Sequence, residues 1–239
     1  MNKMEIEILY EDEDLVVINK PAGLTVHSDG RTKEETLACW LIKKYPEIKN
    51  VGEPIELQSG EKIEKPGIVH RLDKETSGAM VIAKNQETFL FLKKQFKDRK
   101  VSKTYRAFIY GTPKEEDGVI DRPIGRSRSS FKLWSAQRGA RGTLREAITH
   151  YKILAKNKDF SFIEANPKTG RTHQIRVHFK AINHPVVSDR LYAPKREKGL
   201  GFERLALHSF RIKFEKPDKK IIEIEAPYPD DFKNAINSL

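Results

Sequence analysis

An α+β fold built on a large, mostly antiparallel sheet is predicted for this chain of 239 residues, on three observations. Short runs of β-branched and aromatic residues recur along most of its length, only a few stretches show helical spacing, and no repeat or low-complexity linker divides it. With 38% hydrophobic residues the chain is long enough to bury a sizeable core, and a single domain over residues 1–239 is expected.

The first two strands are expected at residues 6–10 and 15–18, on either side of the acidic turn Glu11-Asp12-Glu13-Asp14. A helix follows at 36–44, residues 79–83 read as a buried strand, and 87–97 place Phe89, Leu92 and Phe96 at helical spacing. Strands then dominate, at 103–110, 119–121, 131–135, 146–154, 160–165, 204–214 and 221–225, with helices at 172–182 and at the C-terminus. Residues 52–66 and 194–201 carry Gly, Pro and charge without periodicity and read as loops.

The formal net charge of +11 points to a polyanionic partner, either nucleic acid or an anionic membrane. The membrane is the weaker choice. No apolar run approaches the roughly 18–20 residues that a spanning helix needs, and the acidic start of the chain is unlike a signal peptide. A soluble, cytoplasmic protein is the expectation. Cys39 is the only cysteine, so neither a disulfide framework nor a thiolate metal site forms within one chain; set in Leu37-Ala38-Cys39-Trp40-Leu41-Ile42, it reads as a core residue. No heptad seam asks for a partner subunit, and a monomer is expected.

From Arg122 to Arg145 the chain carries seven Lys or Arg and no acid, interleaved with Phe131 and Trp134 and punctuated by Gly125, Gly139 and Gly142. This reads as a basic, mobile excursion. Its cations suit phosphates, and its aromatics serve either to stack on a base or to hold the loop to the body. Because the charge has one sign where ordinary surfaces mix signs, nucleic-acid contact is expected at Arg122, Arg126, Arg128, Lys132, Arg138 and Arg141.

Two other clusters concentrate reactive side chains. The first is Gly67-Ile68-Val69-His70-Arg71-Leu72-Asp73-Lys74-Glu75-Thr76-Ser77-Gly78, a loop before the buried strand. Singly, its members have ordinary uses: turn hydrogen bonds for Asp73, a polar core position for His70, surface cover for Arg71. The second, Lys168-Thr169-Gly170-Arg171-Thr172-His173-Gln174-Ile175-Arg176-Val177-His178, opens a helix whose buried face is marked by Ile175, Phe179 and Ile182. Thr172 is placed to cap that helix, and its first-turn amides suit an anion alongside Arg171 and Arg176. Two strongly polar clusters then frame one site.

His70-Arg71-Leu72-Asp73 followed by Thr76-Ser77-Gly78 resembles the catalytic motif of the RluA-type pseudouridine synthases. Further segments stand in that family's order: Asn19-Lys20-Pro21-Ala22-Gly23-Leu24; Lys103-Thr104-Tyr105-Arg106-Ala107; Thr169 to His178; His184-Pro185-Val186 with Asp189 and Tyr192; and Leu205-Ala206-Leu207-His208. Ser188 stands where many relatives have Gly. Many relatives also carry a small RNA-binding domain ahead of the catalytic one. About a dozen residues precede the resemblance here, so RNA selection is expected to rest on the catalytic domain, its basic excursion and other proteins.

The resemblance implies a pseudouridine synthase fold, a curved mixed sheet flanked by helices around a central cleft. It also implies a reaction needing no cofactor or metal, in which a uridine's bond from ribose to base nitrogen breaks, the base turns, and the bond re-forms through carbon. Asp73 is then the catalytic carboxylate, acting as a nucleophile or as the base for a sugar proton. Arg176 becomes the guanidinium that keeps the carboxylate ionised and aimed. Tyr105 packs on the target base and serves the proton at the carbon that rejoins the sugar. The target nucleotide must leave its stack, and Arg71 fills the vacated space; His70, Arg171 and His173 are counted with it as RNA-contacting. Two other readings remain: a glycosidase using Asp73 and Glu75 to release free base, and an RNA-binding protein without catalysis.

Overall fold

The computed structural model describes residues 5–28, 34–56, 62–128, 130 and 133–239. In chain order its elements are β1 (Glu7–Glu11), β2 (Leu15–Lys20), α1 (Leu37–Lys44), β3 (Ile55–Glu56), β4 (Lys62–Ile63), β5 (Ser77–Ala83), α2 (Gln86–Lys97) and β6 (Ser102–Tyr110). They continue as β7 (Asp117–Asp121), β8 (Ile124–Arg126), β9 (Trp134–Ser135), β10 (Arg141–Arg145), β11 (Ile148–Lys156), β12 (Phe160–Pro167), α3 (Gln174–Ala181), β13 (Leu207–Glu215), β14 (Ile221–Glu225) and α4 (Asp230–Asn237). The chain divides into two compact units, Met1–Ser102 with Ser209–Pro227, and Lys103–His208 with Tyr228–Leu239.

In the first unit β2 pairs antiparallel with both β1 and β5, and β13, lying beside β5, pairs antiparallel with β14. Central position explains why every residue of β5 is buried. Ala79, Val81 and Ala83 share a core with Leu15, Val17, Ile212 and Phe214, to which α2 adds Phe89 and Leu92. Each of those two side chains contributes roughly 1.5–3 kcal/mol by leaving water. Asn85 starts α2, its side chain accepting the Thr88 amide at 2.9 Å, and Thr36 starts α1 by accepting the Cys39 amide at 3.3 Å.

Gly78, the second residue of β5, has φ +113°, and a Cβ there would be driven into the carbonyl of Ser209. Gly78→Ala is therefore expected to destabilise the protein by roughly 2 kcal/mol, through strain and through separation of β5 from β13. Urea unfolding measures this, and an unchanged midpoint would contradict the close approach.

In the second unit β6, β12, β11 and β7 follow one another, each pair antiparallel. Phe108, on β6, stacks on Phe162 with ring centroids 4.7 Å apart and lies 5.3 Å from Phe202 and 5.4 Å from Phe232 of α4. A smaller antiparallel sheet, ordered β10-β8-β9, stands beside this core.

Several expectations are corrected. The predicted loop 52–66 contains the short antiparallel pair β3 and β4. The basic stretch, read as a mobile excursion with one strand at 131–135, forms β8, β9 and β10; of the expected strand, β9 is the part described, and Phe131 and Lys132 lie outside the described residues. Cys39 is exposed, because the buried stripe of α1 is Leu37, Ala38 and Leu41. Among the described residues no helix is long and apolar enough to cross a membrane.

Candidate active site

The Asp73 loop is braced from several sides within the first unit. Lys20, a residue whose long charged side chain ordinarily reaches water, is fully buried at 0% exposure at the end of β2. Its ammonium donates to the carbonyls of Pro21 and Leu24, both at 2.8 Å, and of Lys74 at 3.1 Å. The Gly23 amide adds a 2.8 Å bond to the same Lys74 carbonyl, and the Thr76 amide donates to Asp73 O at 3.1 Å. Asp73 thus sits half-buried at the start of a turn whose next residue is clamped by the Asn19-Lys20-Pro21-Ala22-Gly23-Leu24 segment.

His70 and Arg71 point to different tasks. His70 Nε2 accepts the Val81 amide at 3.1 Å, and its ring stacks on Phe96 with centroids 4.7 Å apart, so it ties the loop to β5 and α2. Arg71 is exposed, its Nη1 3.4 Å from His27 Nε2. Burial, and then the charge of Arg71, hold the half-buried Lys65 ammonium below its ordinary pKa. Arg71 and Lys65 thus lie close enough for one charge to act on the other.

In the second unit, Tyr105 lies half-buried on β6, paired in register with Ala165 and packed on the core. Arg176 is buried on α3 and grips Asp189 with two parallel bonds of 2.8 Å, from Nε and Nη2. Asp189 is itself fixed by accepting the Leu191 and Tyr192 amides, both at 3.0 Å. The fork sets the plane of the guanidinium and so the direction of its remaining N–H groups.

The helix start differs from expectation. His173, not Thr172, occupies the capping position, at φ +56° and with no side-chain cap bond. Gln174 satisfies the turn instead: its Oε1 accepts from the Arg171 amide at 3.0 Å and Thr169 Oγ1 at 2.7 Å, while Nε2 donates to Ile148 O and Thr149 Oγ1, both at 3.0 Å. Arg171 Nε donates to Glu146 O at 3.0 Å, so it turns towards that loop while Arg176 turns to Asp189. Buried His178 bridges Thr149 Oγ1 and Arg122 O at 2.9 and 3.0 Å, and burial lowers its pKa.

Tyr192 joins several of these parts. Its hydroxyl lies 2.8 Å from His173 Nδ1 and accepts the Trp134 amide at 3.2 Å, and its ring lies under Arg176 at 5.0 Å. Trp134, which lies 4.0 Å beneath the Arg126 guanidinium, packs on the core of Ile124, Ala147, Val177 and Tyr192, so this aromatic holds the basic sheet to its unit. Arg122 donates from Nη1 to the last carbonyl of α3, Ala181 O, at 2.8 Å. Arg128, Arg138 and Arg141 are exposed and form no ion pair among the described residues; Lys132 lies outside them. Lys20 and Asp189 are the contributors that charge and spacing alone did not reveal.

Comparison with known proteins gives a consistent picture. Residues 14–181 match the RNA pseudouridylate synthase family. An uncharacterized RNA pseudouridine synthase of Synechocystis is 37% identical over 235 residues, covering 97% of this chain and 68% of that protein. Ribosomal large subunit pseudouridine synthase D of Neisseria meningitidis is 37% identical over 248 residues, covering 99% of this chain and 62% of that protein. The solved structure of human RNA pseudouridylate synthase domain containing 1 superposes with a TM-score of 0.75 at 26% identity, covering 94% of this chain and 84% of that one.

Proposed function

Because the chain belongs to the RNA pseudouridylate synthase family, an isomerase family, we propose that it converts particular uridines of ribosomal RNA to pseudouridine, with Asp73 as the catalytic carboxylate. The observation that carries the assignment of Asp73 is the bracing of its loop: a fully buried lysine and two backbone amides fix the turn that presents it. Such fixation matters because a carboxylate that attacks or deprotonates a sugar gains its rate from orientation. The large-subunit name of the Neisseria relative favours ribosomal over transfer RNA, and a cytoplasmic, monomeric enzyme fits that reading.

In the proposed reaction the N1–C1′ bond breaks, the base turns, and C5 bonds to C1′; the proton lost from C5 balances the one gained at N1. Asp73 acts on the sugar or the base, Tyr105 packs on the base and serves the C5 proton, and Arg176, held in plane by Asp189, orients the acidic group. Arg171, His173, and the exposed Arg128, Arg138 and Arg141 meet the phosphates. The family match crosses both units, which supports reading residues 1–239 as one catalytic domain. Incubating purified protein with transcribed, unmodified ribosomal RNA tests the proposal: pseudouridine supports it, while free uracil or no product would replace it with the glycosidase or the non-catalytic reading.

Arg71 is proposed to fill the gap left by the extruded nucleotide, since it is exposed, cationic and two residues from Asp73. Extrusion from a structured RNA costs a few kcal/mol more than from an unpaired loop. Arg71→Ala is therefore expected to slow turnover on a structured substrate about tenfold more than on an unpaired one. Equal losses on both would remove this role.

A further inference from the structure

Lys103 is half-buried at the start of β6, and among the described residues its side chain has no hydrogen bond or ion pair. Burial alone lowers its ammonium pKa; no carboxylate offsets the effect. A partly desolvated charge left without a partner is unfavourable, and such groups concentrate where a ligand supplies the missing counter-charge. Lys103 and Tyr105 are two residues apart on one strand and share a face.

The second observation concerns Gly170. Its φ lies outside the left-handed region, so backbone conformation does not require glycine there. Packing does not require it either. A Cβ built on it would meet one atom within 4 Å, Lys103 Nζ at 3.8 Å. What the glycine preserves is open space directly over the unpaired ammonium, with a backbone that a ligand can approach closely.

We propose that Lys103 and Gly170 form a seat for one phosphodiester of the RNA, on the face of β6 that presents Tyr105. The seat rests on the proposed activity and adds a specific anion contact to it. A lysine ammonium binds phosphate as a point charge and needs no planar partner, which suits a site walled by a bare glycine. Its task is positional: it anchors the backbone of the nucleotide whose base Tyr105 meets.

The test measures binding of a labelled oligouridylate to the full chain across a range of salt concentrations. Lys103→Gln is expected to weaken binding about tenfold and to reduce the slope of log affinity against log salt by about 0.7, the share of one phosphate on a single strand. Gly170→Ala keeps the charge and an ordinary backbone conformation, so it folds with an unchanged unfolding midpoint, yet its methyl group obstructs the seat and weakens binding about fivefold. Unchanged affinity and slope in Lys103→Gln overturn the proposal, and so does full affinity in Gly170→Ala. Pseudouridine formation by the unaltered chain on ribosomal RNA is measured in parallel. Its absence would overturn the activity, while the binding comparison would still decide the seat.

Discussion

Asp73→Asn is expected to yield a folded protein that binds RNA and forms no detectable pseudouridine, a loss of at least about a thousandfold. The substitution keeps the size and most of the hydrogen-bonding shape of the side chain while removing its charge. The bracing of the loop runs through backbone: the Thr76 amide donates to the residue 73 carbonyl, and the neighbouring Lys74 carbonyl receives Lys20 and Gly23. None of these bonds needs the carboxylate. Unfolding midpoint and RNA affinity should therefore stay near those of the unaltered chain, and only the chemistry should vanish. Appreciable product from Asp73→Asn, verified free of unaltered enzyme, would remove this residue from the mechanism.

Asp189→Ala is expected to fail in the opposite manner, through stability first. Its carboxylate is buried at 1% exposure, grips Arg176 with two bonds and receives the Leu191 and Tyr192 amides. Removing it takes the Asp189 charge from a buried guanidinium and the acceptor from two amides. Breaking a buried pair from one side costs about 3–5 kcal/mol, far more than the loss of an exposed pair, where about 0–1 kcal/mol is usual. Chemical denaturation reads the loss, and turnover at a temperature where the variant is still folded should fall as well, because Arg176 loses the fork that sets its plane. Asp189→Asn keeps an acceptor for the amides and should recover part of the stability but little of the turnover. A variant at position 189 with unaltered stability would show that the pair contributes nothing net.

How much of this was visible in the chain depends on how strongly each residue type advertises its environment. The strand at 79–83 was readable because burial on both faces leaves an unbroken run of small and apolar side chains. Helix α2 was readable because Phe89 and Leu92 recur at its turn spacing. Strand β10 was not, because all five of its residues are exposed and no buried face imposes alternation. The cap of α3 was misplaced for a similar reason: Thr172 has the right chemistry, but the chain turns through a left-handed His173 and uses a glutamine side chain from inside the helix. The boundary between the two units falls at the start of β6, where nothing in the composition marks a linker. In the candidate site, His70 to Asp73 stood out by density of reactive types, whereas Lys20 did not, since a lone lysine ordinarily signals solvent.

The first unit is completed by Ser209–Pro227, chain that is synthesised after nearly all of the second. A ribosome therefore emits β1, β2 and β5 long before β13 exists to lie beside β5. Until then one side of β5 is an open edge, the kind of surface that invites pairing with another chain. Maturation of the Asp73 loop's scaffold is in consequence a late event of translation, and any nascent chain halted before residue 209 exposes that edge.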